Sequence, residues 1–234
     1  MSEPEQVSIP FTTEVRCRLQ RPVAPQGGPP PLLVVLHGQG QDGERQQRWM
    51  KAAVPDHFAA AFPDGLHPFE VRRPDRKVRL GRAWYLYTPE DRPAFFASLQ
   101  ASCEALWRLI GQAAQALGAD TQQIWLAGFS QGAYMTHYTA LRHLDQVRGW
   151  VSQAGGFREE YGGDPFPDAA GHPVLIQHGR QDEAIGVEVA AATTDLLRKH
   201  GAQVTLQHFD GGHVIKPEMA DAVRAWLEEQ QPAG

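Results

Sequence analysis

The sequence predicts an α/β fold: a mostly parallel central sheet with helices on both faces. Two observations carry this. Short uninterrupted apolar runs such as Leu32–Leu36 and Ile124–Ala127 are what strands buried on both faces look like. Between them lie longer segments with helical start and stop signals, and strand–helix alternation at this spacing implies βαβ units. At about 150 residues per domain, 234 residues suit one large α/β domain. No internal repeat or low-complexity linker divides the chain, so a single domain over residues 1–234 is expected.

Val15, Cys17 and Leu19 alternate with polar residues ahead of several prolines, the pattern of an edge strand followed by a turn. Leu32–Leu36 is the first buried strand. A helix is expected from about Glu44 to Phe58, then a strand at Ala59–Phe62 stopped by Pro63-Asp64-Gly65. A long helix from about Pro93 to Leu117 is closed by Gly118. A strand at Ile124–Ala127 leads into a helix from about Gln131 to Leu144. Further strands are expected at Val147–Val151, Val174–Gln177 and Val204–His208, with a helix at 187–200 between the last two. The final helix begins near Pro217, a residue suited to a first turn. Segments 63–92 and 155–172 read as irregular, both after strand ends, where such sheets keep their ligands.

Composition excludes several function classes. The net charge of −5, from 22 basic and 27 acidic side chains, leaves no broad electrostatic footprint for nucleic acid. The longest aliphatic run has five residues, whereas a spanning helix needs about 20. No secretory signal is visible at the N-terminus, and two cysteines are too few for a disulfide framework, so reduced thiols and a cytoplasmic location are expected. Asparagine is absent, which removes any Cys-His-Asn catalytic set.

The most informative segment is Ile124-Trp-Leu-Ala-Gly-Phe-Ser130-Gln-Gly-Ala-Tyr134. Gly128-x-Ser130-x-Gly132 falls between a strand and a helix, the context of a nucleophile elbow that pushes a serine hydroxyl out above the sheet. A serine hydroxyl needs a base, and the base needs an orienting group. The elbow architecture orders these as nucleophile, acid, histidine along the chain. Asp182, in the loop after Val174–Gln177, and His213, in the loop after Val204–His208, fit that order. Glu183 and Asp210 are weaker candidates for the acid. His37 and His178, each before a glycine at a strand end, suit structural hydrogen bonding, and His137 reads as a helix-face residue. An oxyanion hole is expected from the backbone N–H groups of Gln131 and of Gln39, in the loop His37-Gly38-Gln39-Gly40.

The residues then resemble the small carboxylesterase/phospholipase group of α/β hydrolases that includes the acyl-protein thioesterases. The matching blocks are Leu36-His-Gly-Gln-Gly40, Arg82-Ala-Trp84-Tyr85, Gly128-Phe-Ser-Gln-Gly132, His178-Gly-x-x-Asp182 and Gly211-Gly-His213, in the family's order over nearly the whole chain. The resemblance implies an α/β-hydrolase fold and the same three residues, Ser130, Asp182 and His213, as nucleophile, acid and base. Ala133, Leu86 and Ala184-Ile185-Gly186 depart from the family's usual residues, a difference that bears on substrate preference.

The expected reaction is cleavage of short to medium carboxylic esters, or thioesters, with no cofactor and no metal. Lysophospholipids and acyl-proteins are the alternative substrates. A metal-dependent hydrolase built on His172, His178, Asp182, Asp210 and His213 lacks paired ligand spacing. The expected partner is a small-molecule ester or thioester, with no nucleic acid and no membrane span, and the sequence is compatible with a homodimer. Trp84 and Tyr85, in an aromatic cluster with Tyr87, are expected to form an apolar wall for the acyl chain. No large cap domain is expected, because no insertion is long enough. The basic segment Arg72–Arg79 reads as a solvated loop, or else as a rim that attracts anionic substrates.

Overall fold

The computed structural model describes residues 14–72 and 77–231. Its centre is a seven-stranded sheet. In chain order the strands are β1 (Cys17–Gln20), β2 (Leu32–Leu36), β3 (Ala59–Pro63), β6 (Ile124–Phe129), β7 (Val147–Gln153), β8 (Pro173–Gly179) and β9 (Gln203–Phe209). They lie in the spatial order β1-β3-β2-β6-β7-β8-β9. Only β1 runs antiparallel to its neighbour, with Cys17 opposite Pro63. The other pairs are parallel.

Every residue of β2, β3 and β6 is buried, because helices cover both faces of the sheet. Alternate side chains feed two cores. Leu32, Val34 and Leu36 pack with α2 (Arg92–Leu117), α3 (Gln131–Ala140) and α5 (Val187–Lys199). Leu33, Val35 and Trp125 pack with Met50 of α1 (Gly43–Met50) and with Val223, Trp226 and Leu227 of α6 (Pro217–Gln230). Cys17 and Cys103 are unbridged, on β1 and α2. Among the described residues no helix is long and apolar enough to cross a membrane.

Local chemistry sets the element ends. Asp42 caps α1 by accepting from the Arg45 N–H at 2.8 Å, and Asp91 caps α2 by accepting from Ala94 at 3.0 Å. Gly118 closes α2 with φ +64°, a conformation that glycine adopts without penalty. The helix expected from 44 to 58 stops at Met50 and passes through a 3₁₀ turn, Lys51–Ala53. Pro55 explains this: it lacks an N–H and forces Val54 into extended backbone (φ −82°, ψ 117°). The helix expected from 131 to 144 ends at Ala140 and continues as turns.

Segment 63–92, expected to be irregular, contains a two-stranded antiparallel hairpin, β4 (His67–Arg72) with β5 (Val78–Ala83). Segment 155–172 adds only a four-residue helix, α4 (Glu159–Gly162). Neither amounts to a cap domain. Arg73 and Arg76 of the basic segment lie outside the described residues, and Arg72 pairs with Glu70 at 2.8 Å.

Candidate active site

The chain leaves β6, turns at Ser130 and enters α3 with no intervening loop. Ser130 has φ 54° and ψ −120°, which side chains of L-residues rarely tolerate and which costs on the order of 1–3 kcal/mol. The turn is so tight that a Cβ on Gly128 would lie 2.2 Å from the Gly132 carbonyl oxygen. A Cβ on Gly132 would lie 2.6 Å from the carbonyls of both Leu36 and His37. The two glycines of the motif are thus a steric necessity, and they dock the start of α3 against the end of β2. The Ser130 N–H donates to the Gln153 carbonyl at the end of β7, at 2.9 Å.

The structure brings Ser130, His213 and Asp182 together from the C-terminal ends of β6, β9 and β8. Ser130 Oγ lies 2.9 Å from His213 Nε2, and His213 Nδ1 lies 2.7 Å from Asp182 Oδ2. The second carboxylate oxygen, Oδ1, accepts from the Ala184 and Ile185 N–H groups, each at 2.9 Å. Burial pushes the Asp182 carboxyl up, but these two N–H donors and His213 outweigh it and hold the group below its ordinary value of 3.8. An ionised Asp182 fixes the imidazole with Nδ1–H toward the carboxylate and Nε2 toward the serine hydroxyl.

The competing acids lie elsewhere. Asp210 is exposed and faces Arg180 at 3.8 Å, and Glu183 is exposed. Of the set weighed as metal ligands, His172 and Asp210 are engaged elsewhere, the His172 ring with the Leu144 carbonyl at 2.9 Å and Asp210 with Arg180, while His178, Asp182 and His213 adjoin one another. His178 sits 3.5 Å from Asp182 and donates from Nε2 to the Ile185 carbonyl at 2.8 Å, which braces the acid's turn. His37 bridges two turns: Nδ1–H donates to Gly38 O at 2.8 Å, and Nε2 accepts from the Gly65 N–H at 2.8 Å.

Gln39 projects from the loop after β2. A Cβ on Gly38 would come within 3.3 Å of Ser130 Cβ, so this loop rests directly against the nucleophile turn. Its neighbours' amides are occupied: Gly38 N–H donates to Gln41 Oε1 at 3.1 Å, and Gly40 N–H to Arg82 O at 2.8 Å. The Gln39 N–H has no acceptor among the described residues. Gln131 is the first residue of α3, where backbone N–H groups have no intrahelical acceptor.

Trp84 and Tyr85 require a correction. Trp84 is fully buried and Tyr85 is 5% exposed, so neither offers a wall to a substrate. The Trp84 indole N–H donates to the His37 carbonyl at 2.7 Å, and its backbone N–H donates to Gln131 Oε1 at 2.8 Å. Tyr85 accepts at its carbonyl from Gln131 Nε2 at 3.0 Å, and its ring meets Phe95 edge-on. The aromatic pair is interior scaffold, and the exposed apolar residues of the segment are Leu86 and Tyr87. His137 lies on α3, as a helix-face residue should. It is fully buried, and its Nδ1 accepts from the Trp150 indole at 2.9 Å.

Residues 21–230 match the family model for phospholipases and carboxylesterases. The chain belongs to that family. Within it, the mouse lysophospholipase-like protein 1 is 23% identical over 224 residues, 90% of this chain and 91% of that one. Acyl-protein thioesterase 1 of Eremothecium gossypii is 29% identical over 160 residues, 65% of this chain and 66% of that one. Among solved structures, a carboxylesterase from Mesorhizobium loti superposes with a TM-score of 0.69 at 27% identity, covering 84% of this chain and 88% of the other. The fold is that of an α/β hydrolase, and family membership makes the chain a hydrolase of the esterase, thioesterase and lysophospholipase kind.

Proposed function

We propose that the protein is a serine hydrolase that cleaves carboxylic esters or thioesters of short to medium acyl chains through an acyl-enzyme on Ser130. The observation that carries this reading is the continuous chain of contacts Ser130 Oγ–His213 Nε2, at 2.9 Å, and His213 Nδ1–Asp182 Oδ2, at 2.7 Å. Ser130 Oγ attacks the acyl carbon while Nε2 takes its proton. The carbonyl oxygen becomes an oxyanion stabilised by the Gln39 and Gln131 N–H groups, each worth about 3–4 kcal/mol. As the intermediate collapses, the bond to the leaving oxygen or sulfur breaks, and His213 returns its proton to that atom. Water then attacks the acyl-enzyme with His213 again as base, and the bond from the acyl carbon to Ser130 Oγ breaks as His213 returns that proton to Oγ, releasing the carboxylic acid.

The E. gossypii thioesterase is the reason to keep a sulfur leaving group in this reading. Among the described residues no cap domain covers the strand ends, which favours an open site and acyl chains of modest length. The small-molecule substrate belongs to this same proposal. The test is Ser130→Ala assayed on p-nitrophenyl esters and acyl thioesters, beside fluorophosphonate labelling of the wild type. Activity should fall by several orders of magnitude and labelling should vanish in the variant, with its circular dichroism unchanged. Retention of more than a tenth of the activity would refute the serine assignment.

A further inference from the structure

The two amides of the candidate oxyanion hole sit on separate pieces of chain, the loop after β2 and the start of α3. The stretch from Arg79 to Tyr85 touches both. Toward the loop, the Arg79 guanidinium donates to the Gly40 carbonyl and lies 3.9 Å from Asp42 Oδ2. Two backbone bonds of 2.8 Å, Gly40 N–H to Arg82 O and Arg82 N–H to Gln41 O, extend β5 onto the loop as a short antiparallel bridge. Toward α3, the Gln131 side chain grips the backbone of Trp84 and Tyr85, at 2.8 and 3.0 Å. The Trp84 indole closes the circuit through the His37 carbonyl.

Steric fit reinforces these bonds. Gly40 has φ +74°, and a Cβ there would lie 2.8 Å from Val71 of β4. A Cβ on Gly81 would lie 2.2 Å from the Gly40 carbonyl oxygen. The hairpin therefore presses on the loop at a residue where only glycine fits on either side.

From this we infer that the β4–β5 hairpin and its continuation to Tyr85 are a splint that sets the separation of the two oxyanion donors. Arg79 is a positioning residue for the Gln39 amide and acts through Gly40. This inference rests on the serine-hydrolase reading above. Arg79 touches no reacting atom, so its loss leaves the ester's binding contacts in place. What it loosens is the peptide that must meet the oxyanion, a group present only at the transition state. A misplacement of about 1 Å in such a site can lower the rate about 100-fold.

The experiment compares wild type, Arg79→Met, Arg79→Lys, Trp84→Phe and Ser130→Ala on p-nitrophenyl acetate, with active sites counted by a fluorophosphonate probe. Arg79 is a partly exposed arm of the hairpin, so Arg79→Met should keep its melting temperature. Its kcat per titrated site should fall about 10- to 100-fold with KM within about threefold. The second-order rate of fluorophosphonate labelling should fall in step, because phosphonylation uses the same donors. Arg79→Lys, which restores a donor, should recover part of kcat. Trp84→Phe keeps an aromatic ring, though a smaller one, and removes the indole N–H; per titrated site it should show the same split between kcat and KM even if Arg79→Met folds poorly. If kcat per site stays within twofold of wild type in both variants while Ser130→Ala is inert, the splint is wrong and the serine reading stands. A fall in the number of titratable sites at unchanged kcat per site would likewise overturn it, as mere destabilisation. Activity surviving in Ser130→Ala would remove the serine reading and the splint with it.

Discussion

At the scale of single residues, two side chains lead to distinct expectations. Trp84 is buried and hydrogen-bonded to the His37 carbonyl, so removing it should disturb the site from beneath rather than widen a pocket. Trp84→Ala should lower kcat/KM by a similar factor for acetyl, butyryl and octanoyl esters. It should also lower the melting temperature, since emptying a fully buried tryptophan site costs about 3–5 kcal/mol. A loss that grows steadily with chain length would instead restore the acyl-wall role. Asp182 is held ionised below its ordinary value of 3.8 by its N–H donors and by His213. A depressed carboxyl stabilises the fold above the unfolded value and loses that contribution as pH falls through the folded one. The stability gap between wild type and Asp182→Asn should therefore be constant above about pH 5 and narrow from about pH 4 downward. Urea unfolding between pH 2.5 and 6 would show it, and a gap that is the same throughout would argue against a depressed value.

Among the elements, legibility followed chemistry. The buried strands and the glycine-bracketed serine could be read because each obeys a local rule: an apolar run for a strand covered on both faces, and steric closure at Gly128 and Gly132. Asp182 and His213 followed from their order along the chain. The β4–β5 hairpin could not be read in this way. Phe69 and Val71 on β4 do alternate with polar neighbours, but Pro68 argues against a strand, the apolar Val78 and Leu80 of β5 are exposed rather than buried, and the hairpin is held by contacts with a loop some forty residues away. A further element-level feature was equally hidden. Gln153, Gln177 and Gln207 form a row of side-chain amides across β7, β8 and β9. Gln153 Nε2 donates to Gln177 Oε1 at 2.8 Å, and Gln177 Nε2 donates to Gln207 Oε1 at 3.0 Å and to Met219 O at 3.2 Å. This row ties together three strands that end beneath the site. Gln177→Leu would leave the buried Gln153 amide without its acceptor, a loss of about 1–3 kcal/mol. Its melting temperature should drop clearly, and a thermally silent Gln177→Leu would show that the row carries no weight.

Over the whole molecule, acid sensitivity should come chiefly from histidines that folding keeps neutral. His137 lies between α3 and β7, and complete burial lowers its pKa from 6.5 to about 3. The Trp150 indole N–H points at its Nδ1, which therefore serves as the acceptor. His37 is shifted in the same direction, by burial first, and its Nε2 accepts from the Gly65 N–H. The sign is opposite to that of a histidine gaining an acidic partner. Below about pH 6.5 the unfolded chain takes up protons at these sites and the folded chain does not, so stability declines as pH falls. Above that value the two states bind protons equally there, and stability should level off. The decline begins at about pH 6.5, whereas that of Asp182 begins at about pH 4, so the histidine effect can be read by itself between those two values. His137→Gln keeps an acceptor for the Trp150 indole while removing the titration. Urea midpoints from pH 4 to 8 should then decline less steeply for the variant than for wild type, by about one proton between pH 6 and 4. Parallel curves for the two proteins would mean that His137 is not the group that makes the fold acid-sensitive.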